Sequence, residues 1–138
     1  MRLIVCEDGT EYVDRFRGFL GGEFDFVRAG SFAEALPLCA GAGALLLDQD
    51  FRRTARGLLV DSAGGQSGDA LAEVQGILIL RALRSRGVLL PALLFADLDD
   101  AGRARRLEGE LAPLSVVPST EGLSQIARRL RALVQGPS

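Results

Sequence analysis

The strongest constraint on the fold is a repeated alternation between short, largely apolar runs and amphipathic segments. Strands that are apolar on both faces are typical of parallel sheets, which helices cover on each side. The alternation therefore predicts an α/β fold with one parallel sheet of five strands. The predicted strands are residues 3–6, 24–27, 44–47, 88–96 and 115–117.

The segments between these runs carry helix signals. Thr10 is predicted to cap the first helix, and residues 31–34 have the capping-box sequence Ser-Phe-Ala-Glu at the start of the second. Pro37 is expected to shorten or bend that second helix. Gly87 is a stop signal for the third helix. The third, fourth and fifth helices are predicted at about 69–86, 100–111 and 120–134, with Asp99 as an alternative start of the fourth.

Length and composition narrow the class of protein. A chain of 138 residues fits a single domain spanning residues 1–138. The net charge of −2 argues against a nucleic-acid-binding surface. All 16 cationic side chains are arginines and histidine is absent, which excludes imidazole chemistry, a Walker A phosphate loop and Schiff-base catalysis. Cys6 and Cys39 lie among apolar residues and are interpreted as small buried side chains.

Two apolar runs have the composition, but not the length, of a targeting or membrane segment. Residues 3–6 are too short for a signal peptide, and residues 88–96 are too short to span a bilayer. The sequence therefore predicts a cytoplasmic protein without membrane contact.

Acidic residues follow three of the predicted strands. Glu7 and Asp8 follow the first, Asp48 and Asp50 the third, and Asp97, Asp99 and Asp100 the fourth. Ligands of open parallel sheets bind beyond the carboxyl ends of the strands, where these side chains would meet. Clustered carboxylates repel one another unless a cation lies among them, and Mg²⁺ prefers carboxylate oxygens as ligands. We expect an acidic pocket of Glu7, Asp8, Asp48 and Asp50, with Glu7, Asp8 and Asp48 as weak or vestigial Mg²⁺ ligands and no other cofactor. A helix-capping role is the favoured alternative for Asp97, Asp99 and Asp100.

Several of these segments resemble bacterial response-regulator receiver domains. Residues 3–8, Leu-Ile-Val-Cys-Glu-Asp, resemble their first strand and acidic pair. Residues 45–48, Leu-Leu-Leu-Asp, resemble their third strand, which ends in the aspartate that accepts a phosphoryl group. The resemblance runs from residue 2 to about 134 and implies a flavodoxin-like, doubly wound sheet of order 2-1-3-4-5 with helices on both faces. Further similarity lies in residues 29–36, 76–84, 91–96 and 117–118.

Two departures from the family concern its phosphorylation switch. Val117 stands where receivers have a lysine, and Ala96 stands where they have a threonine or serine. Asp48 is the position equivalent to the phosphoacceptor. The resemblance therefore implies a stand-alone, non-enzymatic pseudo-receiver that acts by protein–protein interaction without a working phosphorylation switch.

A third departure is an insertion at residues 49–69, between the third strand and the third helix. Connections of this kind usually have about 2–6 residues. The insertion contains Arg52, Arg53 and Arg56, and it begins directly after Asp48, beside the expected acidic pocket. We expect at least one of these arginines to lie within salt-bridge range of Glu7, Asp8, Asp48 or Asp50. Residues 58–60 are expected to pack on the domain or to offer an apolar surface to a partner.

The expected partner is another signalling protein, bound through the insertion or through the face formed by the fourth helix, fifth strand and fifth helix. Nucleic acid is not expected as a partner, and a homodimer is left open. The face carries six arginines: Arg103, Arg105, Arg106, Arg128, Arg129 and Arg131.

An alternative reading comes from the acidic motifs themselves. Residues 7–9, Glu-Asp-Gly, and 48–50, Asp-Gln-Asp, also resemble the Toprim domain of topoisomerases, primases and related nucleases. That resemblance implies a Mg²⁺-dependent nuclease or phosphoesterase using Glu7, Asp48 and Asp50.

Overall fold

The computed structural model describes residues 1–51, 53–54, 58–61, 72, 74–98 and 100–135. Five parallel strands form one sheet in the order β2-β1-β3-β4-β5, which confirms the predicted fold class and strand order. The strands are β1 (Arg2–Cys6), β2 (Asp25–Ala29), β3 (Ala44–Asp48), β4 (Ala92–Phe95) and β5 (Leu114–Val117). The helices are α1 (Glu11–Leu20), α2 (Phe32–Leu38), α3 (Gln75–Ser85), α4 (Ala101–Glu110) and α5 (Leu123–Gln135), and a short 3-10 helix, Cys39–Gly41, follows α2.

Two hydrophobic clusters lie on opposite faces of the sheet because side chains alternate along each strand. In β1, Ile4 packs with α2, α3 and α4, whereas Leu3 and Val5 pack with α1 and α5. Cys6 and Cys39 are buried free thiols, as predicted, and burial raises the pKa of both. In the described part of the chain, every helix is too short or too polar to cross a lipid bilayer.

The segment between α3 and β4 differs from its prediction. The apolar run begins at residue 88, but β4 begins only at Ala92. The Val88 amide donates to the Leu83 carbonyl at the end of α3, and Gly87 has a φ of 81°. Leu89 is exposed. The first part of the run therefore ends the helix and does not continue the strand.

The described part of the insertion is attached to the core. The Phe51 amide donates to the Ala72 carbonyl, and Phe51, Leu59 and Val60 are buried. The Gln75 carboxamide accepts from the Val60 amide at 2.8 Å and donates to the Val60 carbonyl at 3.0 Å. These paired bonds hold the insertion against the start of α3. Residues 59–60 thus pack on the core, whereas Leu58 is exposed. The predicted start of α3 at Asp69 lies outside the described residues.

Candidate functional site

The carboxyl ends of β1, β3 and β4 bring together the four carboxylates that we call the acidic rim: Asp8, Asp48, Asp50 and Asp97. One cavity of about 200 Å³ is lined by Asp8, Asp48, Asp50 and Arg53. A second cavity of about 480 Å³ adjoins it. Among the described residues, its lining is formed by Asp48, Gln49, Asp50, Val74, Phe95, Ala96, Asp97, Arg103 and Ser119.

The structure places Glu7 outside the acidic pocket in which the sequence predicted it. Its side chain is buried, and its two carboxylate oxygens accept the backbone amides of Tyr12 at 3.1 Å and Val13 at 2.7 Å. Burial raises the pKa of Glu7, and the two amides oppose that rise. Glu7 therefore caps α1, and it is absent from the lining of the 200 Å³ cavity. Thr10, the predicted cap, makes no side-chain capping bond.

Asp8 is held by Arg53 of the insertion. The Arg53 amide lies 2.9 Å from Asp8 Oδ2, and its Nη2 lies 3.0 Å from Asp8 Oδ1. The guanidinium also contacts Glu11, with Nη1 2.9 Å from Oε1, and this contact lowers the pKa of Glu11 to about 2. The structure thus brings together Arg53 and Asp8, one of the pairings expected from the position of the insertion. Arg52 and Arg56 lie outside the described residues.

Arg28 of β2 positions the loop that carries Asp8. Its Nη2 donates to the Asp8 carbonyl at 3.0 Å, and its Nε donates to the Gly9 carbonyl. A Cβ atom at Gly9 would collide with the side chains of both Glu11 and Arg53 as they stand. Gly9 therefore provides the space in which Arg53 reaches both carboxylates.

Asp48 is half-buried at the end of β3. Burial is the main cause that raises its pKa to about 6, and the nearby carboxylates of Asp8 and Asp50 raise it further. Gly76 packs against the backbone at this point, and its amide donates to the Gln49 carbonyl at 3.0 Å. A Cβ atom at Gly76 would collide with the Asp48 carbonyl oxygen. The first turn of α3 therefore fixes the position of Asp48.

Tyr12 is a site residue that sequence reasoning missed. Its ring stacks on Phe95, with centroids 4.8 Å apart. Burial is the main cause that raises the Tyr12 pKa to about 12, and the carboxylates of Asp48 and Asp97 add to the rise. Tyr12 is the only tyrosine in the chain, which contains no tryptophan. Its position one residue into α1 gave no signal that it would reach the end of β4.

Both predicted switch positions, Ala96 and Val117, are buried, and Ala96 also lines the larger cavity. The Ala96 amide donates to the Val117 carbonyl at 3.0 Å. Beside them, Asp97 accepts both the Ser119 amide, at 3.0 Å, and the Ser119 hydroxyl. These bonds lower the pKa of Asp97 and tie the loop after β4 to the loop after β5.

The other acids after β4 were predicted to cap a helix. The Asp100 side chain accepts the Gly102 amide at 2.8 Å at the start of α4, so Asp100 has the predicted capping role. Asp97 instead bonds to Ser119. Asp99 lies outside the described residues.

The predicted magnesium ligands do not fit a metal ion as they are arranged. Glu7 is turned toward α1, and the Arg53 guanidinium lies against Asp8. Across the residues that the structure describes, no three Cys, Asp or Glu side chains form a group that could hold a metal ion. The Toprim alternative, which needs Glu7 beside Asp48 and Asp50, therefore gains no support.

The arginine face of α4 and α5 is exposed but partly ion-paired. Arg106 lies 3.4 Å from Asp100, Arg129 lies 3.9 Å from Glu121, and Arg131 lies 3.0 Å from Glu23. Arg103 lines the larger cavity. Arg105 and Arg128 are exposed.

No protein-family model and no curated protein sequence matches this chain. Solved receiver domains match its structure. The receiver domain of the Francisella response regulator 1452 has a TM-score of 0.71 at 14% identity, covering 97% of this chain and 96% of that one. The non-phosphorylated HemR receiver domain of Leptospira biflexa has a TM-score of 0.69 at 18% identity, covering 99% and 96%. The BeF3-activated N-terminal receiver domain of Klebsiella pneumoniae RstA has a TM-score of 0.67 at 18% identity, covering 98% and 99%. Over nearly its whole length, the chain therefore has the fold of a receiver domain.

Proposed function

We propose that this chain is a pseudo-receiver of a two-component signalling system that works by contact with another protein, without a phosphorylation switch and without catalysing a reaction. The receiver fold supports the signalling role. The observation that carries the loss of the switch is the burial of Val117, which is 0% exposed where the resemblance requires a lysine. A valine in the core supplies no charge to a phosphoryl group above Asp48.

The surroundings of Asp48 support the same proposal. A phosphoryl group on an aspartate brings negative charge that needs a cation or hydrogen-bond donors close by. The buried Ala96 methyl group, where the family has a hydroxyl, can donate no hydrogen bond. The Ser119 hydroxyl is engaged by Asp97 on the neighbouring loop. Arg53 is engaged by Asp8 and Glu11. A modified Asp48 would therefore lack the contacts that the family's lysine and hydroxyl supply to drive a conformational change, and the described cation that lines the larger cavity beside Asp48 is Arg103 of α4.

The proposal is tested by intact-mass measurement after incubation with acetyl phosphate and Mg²⁺. We expect little or no stable added phosphoryl mass and an unchanged NMR spectrum. The Asp48→Asn variant is the matched control, because a mass increase that persists in it does not arise at Asp48. Full and long-lived modification of the wild type, absent from the control and accompanied by shifted amide resonances across α4 and β5, would overturn the proposal.

The partner contact is proposed to use the exposed arginines of α4 and α5. Arg105 and Arg128 are exposed on different helices of this face. Arginine is well suited to pair with carboxylates, so the partner surface is expected to be acidic. Once a partner is identified, Arg105→Glu and Arg128→Glu should each weaken its binding at low salt more than Arg15→Glu on α1. Equal effects of all three charge reversals would place the contact elsewhere.

A further inference from the structure

The two edge strands of the sheet are each covered by a charged side chain from a neighbouring helix. An edge strand exposes backbone donors and acceptors to which another strand can pair, and proteins commonly block such edges. In this sheet the edges are β2 and β5.

At the β5 edge the blocking group is Glu108 of α4. On its inner side β5 pairs with β4. The amide of Ala92, in β4, donates to the Pro113 carbonyl, and the amide of Ala96, just after β4, donates to the Val117 carbonyl. Since backbone groups alternate along a strand, the amide of Val116 points away from β4. That amide donates to Glu108 Oε2 at 2.9 Å, and the contact is partly buried. Glu108 therefore occupies the position that a carbonyl of an added strand would take.

The β2 edge has the same arrangement with the opposite charge. Arg17 of α1 donates from Nη2 to the Phe26 carbonyl at 2.9 Å. The amide of the neighbouring Asp25 donates to the carbonyl of Met1, on the β1 side of β2. Because backbone groups alternate along a strand, the Phe26 carbonyl points away from β1. A carboxylate covers an outward amide at one edge, and a guanidinium covers an outward carbonyl at the other. Each contact thus occupies one outward backbone group of an edge strand that an added strand would need.

We propose that Glu108 keeps the β5 edge closed, and that without it β5 pairs antiparallel with β5 of a second copy of this chain. A second copy fits because an antiparallel pair of identical strands is two-fold symmetric and satisfies the same groups on both sides. The sequence of β5, Leu-Ser-Val-Val, contains β-branched residues and no charge. The proposal does not depend on the signalling role. It also implies that a natural partner of this face contacts helix side chains and does not add a strand.

The test compares Glu108→Ala with the wild type and with Glu110→Ala. Glu110 is the matched control because it lies on the same helix and is exposed, but pairs with Arg81 and not with β5. We expect the Val116 amide of Glu108→Ala to exchange with solvent about tenfold faster at low protein concentration, as loss of one hydrogen bond to a charged acceptor predicts. At high concentration that amide should become protected again, while sedimentation shows self-association beyond that of the wild type.

Two further variants keep the test decisive. Glu108→Gln retains an acceptor oxygen and should keep the slow exchange of the wild type. If Glu108→Ala does not fold, Glu108→Asp retains the charge but is one methylene too short, and it should show the same exchange and association. Unchanged Val116 exchange without self-association would overturn the proposal. Equal self-association of Glu110→Ala would also overturn it, because loss of charge on α4 would then be the cause.

Discussion

Two halves of the acidic rim differ in how their carboxylates are compensated. Asp8, at the end of β1, has a side chain that is only 5% exposed and lies against Arg53. Asp48, at the end of the adjacent strand β3, has its pKa raised to about 6 by burial and neighbouring carboxylates. The two acids line the same cavity, so their difference comes from the loops that reach each of them.

The loops explain this contrast. The insertion supplies the arginine that covers Asp8, whereas the buried side chains of Ala96 and Val117, where the loops after β4 and β5 begin, supply no charge or hydrogen-bond donor to Asp48. The polar groups of those loops, Asp97 and Ser119, bond to each other. Acids can therefore converge at the carboxyl ends of parallel strands while the side chains beside them are apolar or already hydrogen-bonded to each other. Substitutions confined to one half of the rim, or to the Glu7 cap beside it, test this contrast.

The largest effect is expected from Gly76→Ala, which disturbs the Asp48 half through its backbone. The new Cβ atom would collide with the Asp48 carbonyl oxygen, so α3 and β3 must separate. We expect a loss of about 3 kcal/mol in the free energy of unfolding. Gly18→Ala is the control, since the space around a Cβ at Gly18 is open and a helical alanine is favourable there. Denaturant unfolding should separate the two variants; similar stabilities would refute the close contact.

Glu7→Ala is expected to cost about 2 kcal/mol, because it leaves the amides of Tyr12 and Val13 without their buried charged acceptor. Glu7→Gln keeps one acceptor oxygen and should cost less. A Glu7→Ala protein as stable as the wild type would show that Glu7 does not cap α1 and would restore it as a candidate rim acid.

The sequence predicted five parallel strands because buried parallel strands have a clear apolar pattern, and the family resemblance added their order in the sheet. It also placed Asp8 and Asp48 at one edge and directed the insertion toward them. The sequence did not predict the position of a polar side chain that could lie either in the rim or on nearby backbone amides. Glu7 was assigned to the rim, but two free amides at the start of α1 compete for its carboxylate. Tyr12 and Ser119 reach the rim through three-dimensional packing that has no sequence period.

The titration of Asp48 should be visible in stability. Its pKa is 3.8 when unperturbed and about 6 in the folded protein, so the folded state binds the proton more tightly. The protonated Asp48 therefore adds to the free energy of unfolding. This contribution is complete below about pH 4 and is lost as the pH rises through about 6. The full shift corresponds to about 3 kcal/mol, and partial solvent exposure reduces the expected contribution to about 1 kcal/mol.

The measurement is the difference in unfolding free energy between the wild type and Asp48→Asn from pH 3 to 8. Subtracting the variant removes the contribution of Glu7, whose pKa is also raised. We expect the wild type to become the less stable of the two as the pH rises. A flat difference would indicate that a cation compensates Asp48 as Arg53 compensates Asp8, and the two halves of the rim would then be alike.

The smallest effect on stability is expected from Arg53→Ala, which removes the cation from the Asp8 half. Arg53 and Glu11 are 61% and 60% exposed, so solvent screens their ion pair, and the backbone amide of residue 53 keeps its bond to the buried Asp8 side chain; the melting temperature should therefore change little. The pKa of Glu11 should nevertheless rise from about 2 toward its ordinary value of 4.5, because its shift is caused mainly by Arg53. Side-chain carboxyl NMR measures this pKa directly, and Arg105→Ala controls for the loss of one charge. Because Arg53 also covers Asp8, Mg²⁺ should shift the Asp8 and Asp48 amide resonances more in Arg53→Ala than in the wild type. A Glu11 pKa that stays near 2 in Arg53→Ala would mean that another cation holds the β1 end of the rim.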